Sequence, residues 1–118
     1  MNLQRLAQKY QAYAILGLVF ALGMWLIIWR PIGYRFSIIP GLYGDTRLVN
    51  YFLEHVYRWM SGLEPSFWNI GMYYPFPLTL AFSENMLGSA PFYALLRWAG
   101  LNRESALQGW MIIGHALN

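Results

Sequence analysis

The chain is 118 residues long, 58% hydrophobic and only 11% charged, with eight Lys and Arg against five Asp and Glu for a net charge of +3. Ordinary soluble domains carry about a quarter charged residues, so this composition is short of polar surface and points to an integral membrane protein. The basic residues are scattered, which leaves nucleic-acid binding without support, and the lack of Cys excludes disulfides, thiolate catalysis and Cys-ligated metals.

Residues 1–9 form a short basic lead with Arg5 and Lys9. From Tyr10 to Trp29 no residue is charged. About 20 apolar residues at about 1.5 Å each cross a hydrocarbon layer of about 30 Å, and this run has that length. It is longer than a signal-peptide core and ends in Trp29-Arg30-Pro31, with no small-x-small cleavage site. It is read as an uncleaved first membrane helix over 10–29.

Residues 30–85 form a long aromatic loop that holds five of the six prolines and four of the five acids. Within it Leu48, Val49, Phe52, Leu53, Val56, Trp59 and Met60 recur at three- and four-residue spacing, which predicts an amphipathic helix over 46–61. Arg47, Asn50, Glu54 and Arg58 occupy much of its other side, with Glu54 and Arg58 at i, i+4 spacing as a solvated pair. Asp45 is placed to cap the start and Gly62 to end it. Apolar below and charged above, such a helix is expected to lie along the membrane surface. The following stretch, Glu64 to Phe82, is dense in Pro and aromatic rings and is expected to be an irregular segment at the lipid–water interface.

A second membrane helix is predicted over 86–101, preceded by the capping side chains of Ser83-Glu84-Asn85. Pro91 is tolerable in its first turns, and Arg97 near its end can snorkel to the headgroups. After a turn at 100–104, residues 105–118 begin a third apolar helix. A dozen residues rise only about 18 Å, so this element needs either a longer chain or partner helices to complete a crossing. The fold class read from the sequence is all-α: a helical integral membrane protein with two to three membrane helices and a long first loop containing an amphipathic surface helix. Basic residues divide equally, with Arg5, Lys9, Arg97 and Arg103 on one side and Arg30, Arg35, Arg47 and Arg58 on the other, so charge does not orient it.

Four carboxylates, on Asp45, Glu54, Glu64 and Glu84, share one loop and one side of the membrane. Asp45 precedes the surface helix and Glu84 opens the second membrane helix; brought together they could act as a base and its partner. The plainer roles are helix cap for Asp45 and first-turn dipole partner for Glu84. His55 adjoins the polar face but has no second His or Cys at ligand spacing, so no metal is assigned. His115 falls in the third apolar helix, where a polar side chain usually faces other helices.

The run Gly44-Asp45-Thr46-Arg47, then Tyr51 to Trp59, Phe67-Trp68, Tyr74-Pro75-Phe76-Pro77, and Leu80 to Gly88 resembles the amino-terminal region of large bacterial multi-pass membrane proteins similar to the GT-C superfamily of glycosyltransferases. That superfamily includes protein mannosyltransferases and aminoarabinose transferases. The resemblance covers about Leu16 to Leu117. It implies transfer of a sugar from a polyprenyl-phosphate carrier to an acceptor hydroxyl, in the bacterial inner membrane, with loop 30–85 outside the cytoplasm. Carried over, Asp45 is the base, and Glu84 is matched as second acid by position only. Apart from the resemblance, Arg47 or Arg58 is expected to meet the carrier phosphate through charge-assisted bonds, and Glu54 and His55 are grouped with them as substrate-binding candidates. The single Asp followed by Thr-Arg departs from the Asp-Glu pair typical of protein mannosyltransferases. No cofactor is indicated, although a divalent metal is compatible with paired acids. Implied partners are membrane lipid, the lipid-linked sugar, and further helices from a longer chain or partner subunits. The competing reading is a non-catalytic membrane protein that binds partner subunits or lipid.

Overall fold

The computed structural model describes residues 3–118, all helix and irregular segment with no strand among them. They divide into two units, one ending at Ile38 and the other spanning Ile39–Asn118.

The first unit is built on α1, Leu3–Met24, whose helical path continues through Trp25–Trp29 and Arg30–Ile32. Trp25–Trp29 adopt the wider π register, with the Arg30 N–H donating to the Trp25 carbonyl. Pro31 supplies the cause: it has no N–H to offer Ile27, and its ring would collide with that carbonyl in a regular helix. The path ends at Gly33 (φ 76°) and turns back so that the Ile38 N–H donates to the Ile32 carbonyl at 2.8 Å. A Cβ on Gly33 would lie 2.8 Å from the Ser37 hydroxyl, which with its positive φ explains the glycine. Leu16, Leu18, Val19, Phe20 and Ile27 are all exposed. A helix apolar on every side suits hydrocarbon, not water. The stretch Gln8–Phe36 is long and apolar enough to cross a membrane and is the one such helix among the described residues.

The second unit packs three helices, α2 (Tyr43–Met60), α3 (Ala90–Trp98) and α4 (Arg103–Leu117), around a long connection from Ser61 to Ser89. Its core combines Phe52, Leu53 and Val56 of α2, Tyr93 of α3 and Ala106 and Leu107 of α4. Phe67, Ile70 and Leu80 enter from the connection. The Leu80 N–H donates to the Trp68 carbonyl at 3.0 Å and the Leu78 N–H to Asn69 Oδ1 at 2.7 Å, which holds that irregular chain against the helices. Gly109 gives α4 room beside α3, since a Cβ there would sit 2.8 Å from Leu96 Cδ1.

Two helices close in the same way. Leu63 N–H reaches back to the Arg58 carbonyl at 2.8 Å and Gly62 N–H to Trp59 at 3.0 Å; Leu101 pairs with Leu96 at 3.2 Å and Gly100 with Arg97 at 3.0 Å. Gly62 and Gly100, with φ of 72° and 92°, take the left-handed position these endings require.

Two expectations are corrected. Helix α2 does not rest its apolar face on a membrane surface, because Leu53 and Val56 are fully buried by the same unit, and Asn50, Glu54 and His55 are buried too. The span expected over 86–101 contains only the nine-residue α3, a rise of about 14 Å, and the 15-residue α4 rises about 22 Å. Neither alone crosses a layer of about 30 Å. Residues 86–89 form a turn instead of helix, with Met86 left-handed (φ 53°) and the Ser89 and Ala90 N–H groups both donating to its carbonyl.

Candidate functional site

The most connected side chain is Glu54. Its Oε2 accepts from the Tyr93 hydroxyl at 2.8 Å and Arg97 Nε at 2.9 Å, and its Oε1 accepts from Arg97 Nη2 at 3.1 Å. The same Tyr93 hydroxyl lies 3.1 Å from Asn50 Oδ1. Arg97 also donates through Nη1 to the Leu101 carbonyl and lies 4.9 Å above the Tyr57 ring. Arg103 Nε stands 4.0 Å from Glu54 Oε2. Two spacings build this arrangement: Asn50 and Glu54 are one turn apart on α2, and Tyr93 and Arg97 one turn apart on α3. Burial, then the hydrogen bond to Glu54, pushes the Tyr93 phenol well above its ordinary pKa. The Arg97 guanidinium is raised above its usual value, chiefly by its hydrogen bond to Glu54. A two-point guanidinium–carboxylate pair, supported by the bond to the Leu101 carbonyl, is a cross-link between helices.

On the outer side of this pair lies a polar cavity of about 400 Å³, walled by Tyr51, Glu54, His55, Arg58, Asn69 and Arg103, with Glu64 at its edge. Three of the residues singled out from the sequence, Glu54, His55 and Arg58, therefore do meet. Each has a structural partner. His55 Nε2 is 2.9 Å from the Phe67 carbonyl, and Arg58 Nε donates to Glu64 Oε1 at 2.9 Å. The Glu54–Arg58 pair expected from helical spacing is not made. Glu54 points inward to Arg97 and Arg58 outward to Glu64, so burial selects the long-range partner.

Asp45, Arg47 and Glu84 lie apart from that cavity's walls. Asp45 is exposed in the first turn of α2 but does not cap it: the cap position is Leu42, whose carbonyl accepts from the Thr46 N–H at 3.0 Å. The turn before it is fastened by Thr46, whose hydroxyl donates to the Pro40 carbonyl at 3.2 Å across Gly41. Arg47, two residues further along α2, is exposed too. Glu84 is exposed in an irregular stretch six residues before α3 and so is not in that helix's first turn. Asn85 does the local work there, accepting from the Leu87 N–H at 3.2 Å. No hydrogen bond or ion pair joins Asp45 to Glu84 among the described residues.

Neither acid lines the second cavity, but a residue near each in sequence does. A groove of about 390 Å³ is lined by Leu48 and Phe52 of α2 and by Met72, Phe76, Phe82 and Ser83 of the connection. Leu48 is one turn after Asp45, and Ser83 immediately precedes Glu84. The groove is apolar where the first cavity is polar, and Ile70 lines both. Among the described residues no three His, Asp or Glu side chains gather as metal ligands.

Sequence reasoning missed Tyr93, Asn50 and Arg103 and placed Arg97 at a headgroup. The available signal was the paired one-turn spacing, Asn50 with Glu54 and Tyr93 with Arg97, in helices otherwise mostly apolar. Comparison with protein-family models, with curated proteins and with solved structures finds no match.

Proposed function

We propose that this chain is the amino-terminal part of a GT-C-like glycosyltransferase of the inner membrane, multi-pass in its complete form, with Asp45 as general base. The observation that carries this reading is the state of Asp45. Among the described residues it is the acid on α2 with no hydrogen bond or ion pair, exposed at the helix's positive end and one turn before Leu48, which lines an apolar groove. Glu54, by contrast, is committed to Arg97. In the proposed step Asp45 removes the proton as the acceptor oxygen bonds to the anomeric carbon, and the carrier phosphate leaves with the electron pair of the broken C–O bond. Arg47, two residues along α2 from Asp45, supplies positive charge for that phosphate, whereas Arg58 is committed to Glu64. Glu84 is the second acid through its position next to the groove. The loop that holds them lies outside the cytoplasm in this reading.

Sugar transfer from a radiolabelled polyprenyl-phosphate sugar tests it, using the protein in its native membrane. General-base catalysis contributes about 10²- to 10⁴-fold, so Asp45→Asn should lower kcat by about that factor. Because Asp45 does not cap α2 and, among the described residues, pairs with no other side chain, helicity should be unchanged. Activity within a few-fold of wild type would remove Asp45 as base. Arg47→Ala should mainly raise KM for the lipid donor.

The second reading, a non-catalytic membrane protein that binds lipid or partner subunits, is favoured by the apolar groove and by the structural use of Glu54. Absence of any sugar transfer, with lipid binding retained, would support it over the enzyme.

A further inference from the structure

We infer that the aromatic connection between Gly71 and Phe82 inserts at a bilayer surface and that the groove beneath it holds one acyl chain of a bilayer phospholipid. This does not rest on the transferase reading. Tyr73, Tyr74, Phe76 and Phe82 are 74%, 90%, 72% and 90% exposed, an unusual disposition for four large rings within ten residues. No charge occurs anywhere from Pro65 to Ser83. Exposed Tyr and Phe also occur in protein-docking surfaces, but those carry Arg and a polar rim. A stretch without any charge, with Tyr and Phe beside Pro, suits the region between headgroups and chains.

The backbone sets the depth. Between Gly71 and Leu78 the chain makes turns and no continuous helix, so its amides need water or headgroups and cannot sit in hydrocarbon. The chain connection sets the opportunity, because the second unit begins at Ile39, three residues after the apolar stretch Gln8–Phe36. A unit tethered so closely to a helix of membrane-crossing length starts at a lipid surface.

The groove gives the loop something to hold. Leu48 and Phe52 form one wall, and Met72, Phe76 and Phe82 the other, so the residues that would enter the interface also line the cavity. At about 390 Å³ it falls within the range of small-ligand pockets, and its mostly hydrocarbon lining selects an aliphatic chain over a sugar or a peptide.

The full chain is reconstituted in phosphatidylcholine vesicles whose acyl chains carry a mid-chain diazirine, irradiated, and the adducts mapped by mass spectrometry. Adducts are expected on Tyr74 and Phe82 at the tip and on Leu48 and Met72 within the groove, several-fold above Glu104 and Ser105 on α4. Adducts on α1 report insertion. Labelling confined to α1, or labelling of α4 equal to that of the loop, overturns the inference. Adducts on Tyr74 and Phe82 without any on Leu48 or Met72 overturn the acyl chain in the groove. Failure of α1 to label removes the lipid surface itself, while loss of sugar transfer in Asp45→Asn leaves these results unmoved.

Discussion

Glu54 and Arg97, 43 positions apart, face each other through two hydrogen bonds of 2.9 and 3.1 Å and join α2 to α3. The pair is mostly out of water, and Tyr93 completes the carboxylate's set of donors. Its weight lies in what happens when one side is lost.

Arg97→Met leaves the buried Glu54 with only the half-exposed Arg103 at 4.0 Å as counter-charge, and removal of one partner from a buried pair costs about 3–5 kcal/mol. Chemical unfolding followed by circular dichroism should show that loss. The double variant Glu54→Leu with Arg97→Met should recover most of it, because neither charge then remains. A double variant no better than the single one would mean that the ion pair adds net stability.

The Tyr93 phenol sits above its ordinary pKa of 10.0, so the folded state favours its protonated form. Its contribution is fully present below that value and is lost as pH rises past it, since the unfolded chain releases the proton first. Tyr93→Phe is therefore less stable than wild type at neutral pH, having lost the bonds to Glu54 and Asn50. Above pH 10.0 the gap should close, at up to about 1.4 kcal/mol per pH unit for one proton. Parallel pH profiles for the two proteins would contradict the assignment.

Thr79 has a buried hydroxyl with no hydrogen-bond partner among the described residues. Thr79→Val keeps the shape and removes an unsatisfied polar atom, which costs about 1–3 kcal/mol when left unpaired. The melting temperature of the variant should rise or stay level; a clear fall would reveal a partner for that hydroxyl.

Gly41 and Gly44 flank the start of α2 and should respond oppositely to alanine. Gly41 has φ of 109° with the Thr46 side chain pressed against the space a Cβ needs, so Gly41→Ala should destabilise by about 1–3 kcal/mol. Gly44 is helical with open space around it, and Gly44→Ala should stabilise by about 0.5–1 kcal/mol. Thermal unfolding of the two variants side by side tests the placement of the Gly41 turn.

The apolar run before Pro31, the periodic apolar face of α2 and the terminating glycines at 62 and 100 were all legible, because each depends on local chemistry. A chain of uncharged side chains must form a helix to satisfy its backbone in hydrocarbon, and a left-handed residue at a helix end is most easily a glycine. The span over 86–101 was misjudged because apolar composition alone does not separate a membrane helix from a short helix in a packed core. Burial of Tyr93, Ala94, Ala106 and Leu107 resolves that ambiguity, and it is a property of neighbours. Glu54 shows the same division. Its i, i+4 neighbour Arg58 was visible in one dimension, yet desolvation made the distant Arg97 the partner. The sequence by itself determined where helices form, what ends them and which stretch is apolar enough to cross a membrane. Only the tertiary structure decided which acids are structural and which, like Asp45, remain open, since that depends on which charges are brought together out of water.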